Sequence, residues 1–180
     1  HGFAALVVCP FFLNEGFPDL PEGWLAPAAD IVRREGGLLI CDEVQSGFGR
    51  TGDAFWAHER MGVIPDILTM GKPMANGHPV GGVVTRPEIM ASFREGFRYF
   101  NTFAGNPVSC AAAMAVLDEI EEKALTAHAR RVGDHARARL ADLATRHEAI
   151  GDVRGRGMVF GAEFVLDRDS KAPATAFADR

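Results

Sequence analysis

The sequence predicts an α/β protein built on a mainly parallel sheet, and three observations carry that prediction. Short apolar runs recur without alternation, the pattern of strands buried on both faces. Between them lie stretches whose apolar residues repeat every three or four positions, as amphipathic helices require. Turns rich in Gly and Pro join the two kinds of segment. Composition agrees: 180 residues, 47% hydrophobic and 24% charged, describe a globular chain of one domain, or one domain and part of another.

In chain order, Phe3 to Cys9 forms the first apolar run. Pro21 and Glu22 open a helix with Trp24, Leu25, Ala28, Ile31 and Val32 on its inner side, and Gly36-Gly37 ends it. Leu38 to Cys41, Ile67 to Met70 and Gly82 to Thr85 supply three more strands. After Pro107 the character changes to helix: one from Val108 to about Glu122, then a second with Leu125, Ala129, Val132, Ala136, Leu140 and Leu143 along its inner stripe. Arg130, Arg131, Arg137 and Glu148 form its solvated side. Short strand-like pieces alternate with glycine from Gly151 onward, and a boundary falls near Lys123.

Several function classes are disfavoured. With 19 Lys and Arg against 24 Asp and Glu, the net charge is −5 and no basic cluster is present, which argues against nucleic acid as a partner. No apolar run reaches the roughly 18 residues of a membrane helix. The start, His1 to Ala5, lacks the basic segment of a signal peptide. Cys9, Cys41 and Cys110 form no CxxC pair and read as buried free thiols in a reducing, cytoplasmic compartment.

Two places attract chemistry. Asp42 and Glu43 fall at the C-terminal end of a buried strand, where α/β proteins place ligands. Neighbouring strand residues point to opposite faces, so one acid faces the site and the other makes a structural contact. Lys72 follows the strand Ile67–Met70, held between Gly71 and Pro73. An amine among apolar walls has the lowered pKa that Schiff-base chemistry needs. If the two strands are neighbours, acid and amine open into one crevice, the pair that pyridoxal phosphate uses. Gly47 to Gly52 matches GxGxxG, but it lies too far from the strand and beside two acids. Asp66 also comes too early to hold a ribose, so the glycines are read as a sharp loop.

The run Leu39 to Gly52, followed by Pro65 to Lys72, resembles the signature of class III pyridoxal-phosphate aminotransferases. Thr102-Phe103-Ala104-Gly105-Asn106-Pro107 and Val153-Arg154-Gly155-Arg156-Gly157 match two later motifs of that family in the same order. Lys72-Pro73-Met74 and Asn76-Gly77-His78-Pro79 are similar to the branch with ethanolamine-phosphate phospho-lyases. The resemblance implies the fold-type-I transferase architecture. Residues 1–122 would belong to the large cofactor domain, and residues 123–180 to a linker helix and an incomplete small C-terminal domain. It also implies roles. Lys72 joins the cofactor as a Schiff base and moves the proton at the substrate carbon. Asp42 pairs with the pyridinium nitrogen, Val44 packs on the ring, and Gln45 bonds near the phenolic oxygen. Thr102 reaches the cofactor phosphate of the other subunit of a homodimer, and Arg154 grips a substrate carboxylate or phosphate.

The expected activity is transfer of an amino group between an amine or amino acid and a 2-oxo acid or aldehyde. A phospho-lyase acting on an amino-alcohol phosphate is the alternative. There are departures from the family pattern. The first strand ends Cys9-Pro10 where the family has Glu-Pro, and Asn14 and Glu15 both fall near a second acidic position. His58, beside Phe55 and Trp56, reads as a packing residue. The family also has an N-terminal half with a phosphate-binding loop, so a reading of another class stays open. In it, the chain is a non-catalytic piece or a subunit completed by another chain.

Overall fold

The computed structural model describes residues 2–178. Its first sheet has the order β1-β2-β3-β4: β1 Ala5–Val8, β2 Leu38–Asp42, β3 Ile67–Met70 and β4 Gly82–Thr85. The first three run parallel, with Val7 opposite Ile40 and Ile40 opposite Ile67. Parallel neighbours need a crossover, which α1 (Leu25–Arg34) supplies between β1 and β2. From β3 to β4 the connection is shorter than the roughly dozen residues such a crossover takes, so β4 returns antiparallel with Val83 opposite Thr69.

Helix α1 starts later than Pro21 because Gly23 turns the chain at positive φ and Trp24 stands at the cap. It buries Leu25, Ala29 and Val32, one stripe at i, i+4 and i+7, and leaves Ile31 outside. That stripe meets Val8, Leu39, Cys41, Met61 and Val63 in the core. Leu25 and Leu39 are wholly buried, a burial that contributes about 2 kcal/mol each. Gly36, at φ 81, ends the helix as its sequence foretells.

Helix α2 (Pro87–Gly96) buries none of its residues, which is why no inward stripe announces it in the sequence. Helix α3 (Pro107–Glu122) is capped by Asn106, whose side chain accepts from Ser109 N at 3.0 Å. Helix α4 (Leu125–Arg146) leads to a second, antiparallel sheet of β5 (Ile150–Arg156), β6 (Val159–Asp167) and β7 (Ala172–Pro173), and α5 (Thr175–Ala178) follows. Glu148 falls beyond α4, and Arg130 faces Asp53 at 3.8 Å, so the charged side of this helix is not purely solvated.

The Gly47–Gly52 loop explains how α4 and β5 seat against the first sheet. A Cβ at Gly49 would strike the Thr126 side chain, and one at Gly52 would stand 2.7 Å from Arg130 Cα. Gly133 of α4 in turn faces the Gly157 carbonyl with no space for a methyl group. Met158 N donates to Arg50 O at 3.0 Å. The loop's glycines thus serve close backbone approach, which a dinucleotide fingerprint would have spent on a pyrophosphate. Beside them, the Asp53 carboxylate accepts from Arg60 at 2.9 Å and Arg156 at 2.8 Å. Burial alone would raise the Asp53 carboxyl, but the two guanidinium groups outweigh it and hold it below the ordinary range.

Candidate active site

Strand β2 ends in two adjacent acids with different roles. Glu43 is 0% exposed and accepts from Ser46 Oγ at 2.5 Å, from His58 N at 2.8 Å and, on the same oxygen, pairs with His58 Nδ1 at 2.9 Å. Burial pushes its carboxyl up, yet the hydrogen bonds from His58 and Ser46 prevail and keep it below the ordinary value. Glu43 therefore anchors the short 3-10 helix Ala57–Met61 to the end of the sheet. His58, expected only to pack, is its partner. Nothing in the spacing of fifteen residues announces that pair.

Asp42 is half-buried and sits opposite Thr69 of β3. Its Oδ1 accepts from Val44 N at 3.0 Å, which fixes the carboxylate and leaves its second oxygen without a partner among the described residues. Beyond Thr69, β3 ends at Met70, and Gly71 leads into a 3-10 turn, Lys72–Ala75. Because β2 and β3 are parallel neighbours, Asp42 and Lys72 leave the sheet at the same end, as a shared crevice requires. Val44 lies against this junction. Its methyl groups are 3.6 and 3.7 Å from where a Cβ on Gly71 would stand, ordinary van der Waals contact, so the valine packs beside the backbone that leads to Lys72.

Lys72 itself is exposed and borders a cleft of about 890 Å³. Phe48, Val116, Leu125 and Met158 line other parts of it. The apolar walls expected around the amine are thus a cleft open on one side. Gln45 donates through Nε2 to Asn14 Oδ1 at 2.9 Å. That bond brings Asn14, of the two candidates, to the position beside Gln45.

Two expected site residues make no hydrogen bond to this group among the described residues, although Arg154 bonds Gly16, two residues from the Asn14 that meets Gln45. Thr102 is exposed in the turn before α3, flanked by the exposed Phe100 and Phe103. Arg154, on β5, donates through Nε to Gly16 O at 3.1 Å and through Nη1 to Asp152 at 3.1 Å and Glu163 at 2.5 Å. One arm of its fork, Nη1, is already engaged by two carboxylates. Asp66, set aside as a ribose ligand, instead joins two strands. Its Oδ2 accepts from Leu39 N at 2.8 Å while its own N–H donates to Leu39 O at 2.8 Å.

Thiol chemistry has little place here. Cys41 is buried, and burial together with the nearby Glu43 pushes its thiol up to about 12. Cys110, expected to be buried, is exposed, because α3 turns that side outward. Among the described residues no group of three or more His, Cys, Asp or Glu side chains could hold a metal ion, and no helix is long and apolar enough to cross a membrane. An amine, a half-committed carboxylate, an amide donor and an apolar side chain, carried just past the same ends of adjacent strands, form a donor set whose chemistry suits an aromatic aldehyde with a ring nitrogen.

Comparison with known proteins agrees with this chemistry. The family profile described as aminotransferase class-III matches residues 2–180. Alanine–glyoxylate aminotransferase 2 homolog 2 of Arabidopsis thaliana is 52% identical over 161 residues, covering 89% of this chain and 33% of that protein. Ethanolamine-phosphate phospho-lyase homolog 1 of Caenorhabditis elegans is 45% identical over 155 residues, 85% of this chain and 33% of that one. The chain therefore spans about a third of the length of these relatives. Among solved structures, a phospholyase from Arthrobacter in complex with phosphoethanolamine superposes with a TM-score of 0.91 at 46% identity, covering 98% of this chain and 42% of that one. Taurine:2-oxoglutarate aminotransferase from Bifidobacterium kashiwanohense, in complex with PLP and glutamate, gives 0.85 at 27% identity, 94% of this chain and 38% of that one.

Proposed function

Because the chain belongs to the class-III aminotransferase family and has the fold of type-I pyridoxal-phosphate enzymes, we propose that it carries part of a pyridoxal-phosphate transaminase site. The substrates are an amine or amino acid and a 2-oxo acid or aldehyde. The observation that carries the reading is the exit of Asp42 and Lys72 from adjacent parallel strands at one sheet end. Pyridoxal phosphate, when bound, supplies the conjugated ring that withdraws electrons from the substrate carbon.

The residues divide the remaining work. Lys72 Nζ would hold the cofactor and would take and return the proton at the substrate carbon. The uncommitted oxygen of Asp42 keeps a ring nitrogen protonated. Val44 presses on the ring face, and Gln45, oriented by Asn14, donates toward the phenolic oxygen. Arg154 binds the anionic end of a substrate by exchanging Asp152 and Glu163 for it. Thr102 serves the cofactor phosphate of a second copy. The exposed Phe97, Tyr99, Phe100 and Phe103 around it support that assignment, being a surface a homodimer would cover. In this arrangement residues 1–122 act as part of the large domain, and residues 123–180 as linker helix and part of the small one.

Pyridoxal phosphate added to the chain, followed by borohydride and peptide mass spectrometry, tests the reading. Label concentrated at Lys72 and lost in Asp42→Ala is expected. Label spread over Lys123 and Lys171 would remove it. Likeness to two phospho-lyases supports a second reading, loss of phosphate from the carbon beside the amine. An amine donor alone converts the cofactor to its amine form in a transaminase. A phospho-lyase given an amino-alcohol phosphate releases inorganic phosphate and leaves the cofactor unchanged.

A further inference from the structure

We propose that His78 is a positioning residue: its hydrogen bond to Ser109 ties the turn that carries Lys72 to the turn that carries Thr102. The roles of those two residues rest on the reading above, whereas the tie itself rests on geometry alone.

The Lys72–Ala75 turn closes through Met74 N to Gly71 O at 2.7 Å and Asn76 N to Pro73 O at 3.2 Å. Asn76 and Gly77 then both take positive φ, 47° and 101°, and fold the chain back so that His78 N donates to Ala75 O at 3.0 Å. That reversal aims the imidazole at α3, where Nε2 lies 2.9 Å from Ser109 Oγ. Ser109 is buried to 5% exposure, whereas most of α3 is not.

From Ser109 the chain of bonds continues without a gap. Its hydroxyl accepts from Asn106 Nδ2 at 2.9 Å, and its N–H donates to Asn106 Oδ1 at 3.0 Å. The same Asn106 Nδ2 donates to Phe103 O at 2.8 Å. Asn101 Oδ1 then accepts from Phe103 N at 3.0 Å and Ala104 N at 3.1 Å. Thr102 lies inside that last turn. Either tautomer of His78 satisfies the contact, because a hydroxyl both donates and accepts. By the chain, the route from Lys72 to Thr102 runs through β4 and the unburied α2; across His78 it is a handful of hydrogen bonds. Linked polar groups of this kind hold one another in place, and removing any one loosens the rest. Lys72 working in one subunit and Thr102 in the other are thereby kept in fixed relation.

Amide hydrogen exchange of the 180-residue chain, measured by mass spectrometry without cofactor, tests the tie. His78→Ala should speed exchange roughly two- to tenfold, the worth of one hydrogen bond, in peptides covering both 72–78 and 101–109, while β1 to β3 stay unchanged. Ser109→Ala should do the same, the double variant should add nothing further, and His78→Gln should restore protection. Faster exchange confined to 76–80, or additive effects of the two alanines, would overturn the proposal. Borohydride trapping of pyridoxal phosphate supplies the second readout: the Lys72 adduct falls by a similar factor in His78→Ala and recovers in His78→Gln. A wild-type chain that traps nothing at Lys72 would defeat the cofactor reading, and the exchange data would still decide the tie.

Discussion

The glycine seam and the sheet end that carries Asp42 and Lys72 begin within a few residues of each other and follow opposite rules. At the seam the backbones pack tightly and the charged groups are paired, while the buried Thr51 hydroxyl alone among them has no hydrogen-bond partner within the described residues. Gly49, Gly52, Gly133 and Gly157 face backbone or side chains with no room for a Cβ, and Asp53 is answered by Arg60 and Arg156. At the sheet end, groups are left with capacity: Lys72 is exposed and Asp42 has committed one oxygen. Saturated contacts hold a fold, and groups with an open valence are what a ligand can meet. The boundary between the two regimes runs between Asp42 and Glu43.

Glu43→Ala should break the saturated side most severely. It leaves His58 and Ser46 without their buried acceptor, and thermal or urea unfolding should show a loss of about 3–5 kcal/mol. Gly133→Ala comes next. In an open helix the methyl group would gain about 1 kcal/mol. Here it meets the Gly157 carbonyl, so unfolding should instead register a loss of about 1–3 kcal/mol.

Asp53→Asn should cost about 1–2 kcal/mol by weakening two charge-assisted bonds, with the change in exchange concentrated in β5 and the Arg50 to Asp53 segment. Both Glu43 and Asp53 have folded-state values held below the ordinary 4.5 and 3.8. Their contribution is complete above those values and is lost as pH falls through the depressed ones. A plot of unfolding free energy against pH should therefore drop below about pH 4. The Asp53→Asn variant should drop less steeply. The smallest effect sharpens the contrast from outside: Asp167 is held low by the Ser170 hydroxyl and N–H but lies fully in solvent, and Asp167→Ala should leave the midpoint unchanged.

Much of this was legible in the residues. β3 and β4 fall where apolar runs and glycines put them, while the pairing of the strand that ends at Asp42 with the strand that precedes Lys72 was only a condition in the sequence, which the sheet order meets. Periodicity found α3 and α4 because each repeats its small and apolar residues over several turns. It missed α2, which has no core to face, and it placed Ile31 inside although α1 buries Ala29 instead. The division of labour between Asp42 and Glu43 was readable as alternation along a strand. Alternation alone did not say which acid makes the structural contact, and only the resemblance pointed Asp42 toward a ligand; Glu43's partner, His58, is brought in by a 3-10 helix with no periodic signature. The Gln45–Asn14 and His78–Ser109 bonds each span 31 residues and depend on turn geometry that local patterns do not encode.

The uneven surroundings of the cysteines make the protein easy to label at one place. With its thiol pushed up to about 12, buried Cys41 presents a negligible thiolate to a maleimide at neutral pH, and Cys9 is half-covered. Cys110 stands in the open, one residue past Ser109. A fluorophore attached there would sit on the first turn of α3, and its anisotropy would follow that turn as cofactor or substrate arrives, with no engineered thiol required.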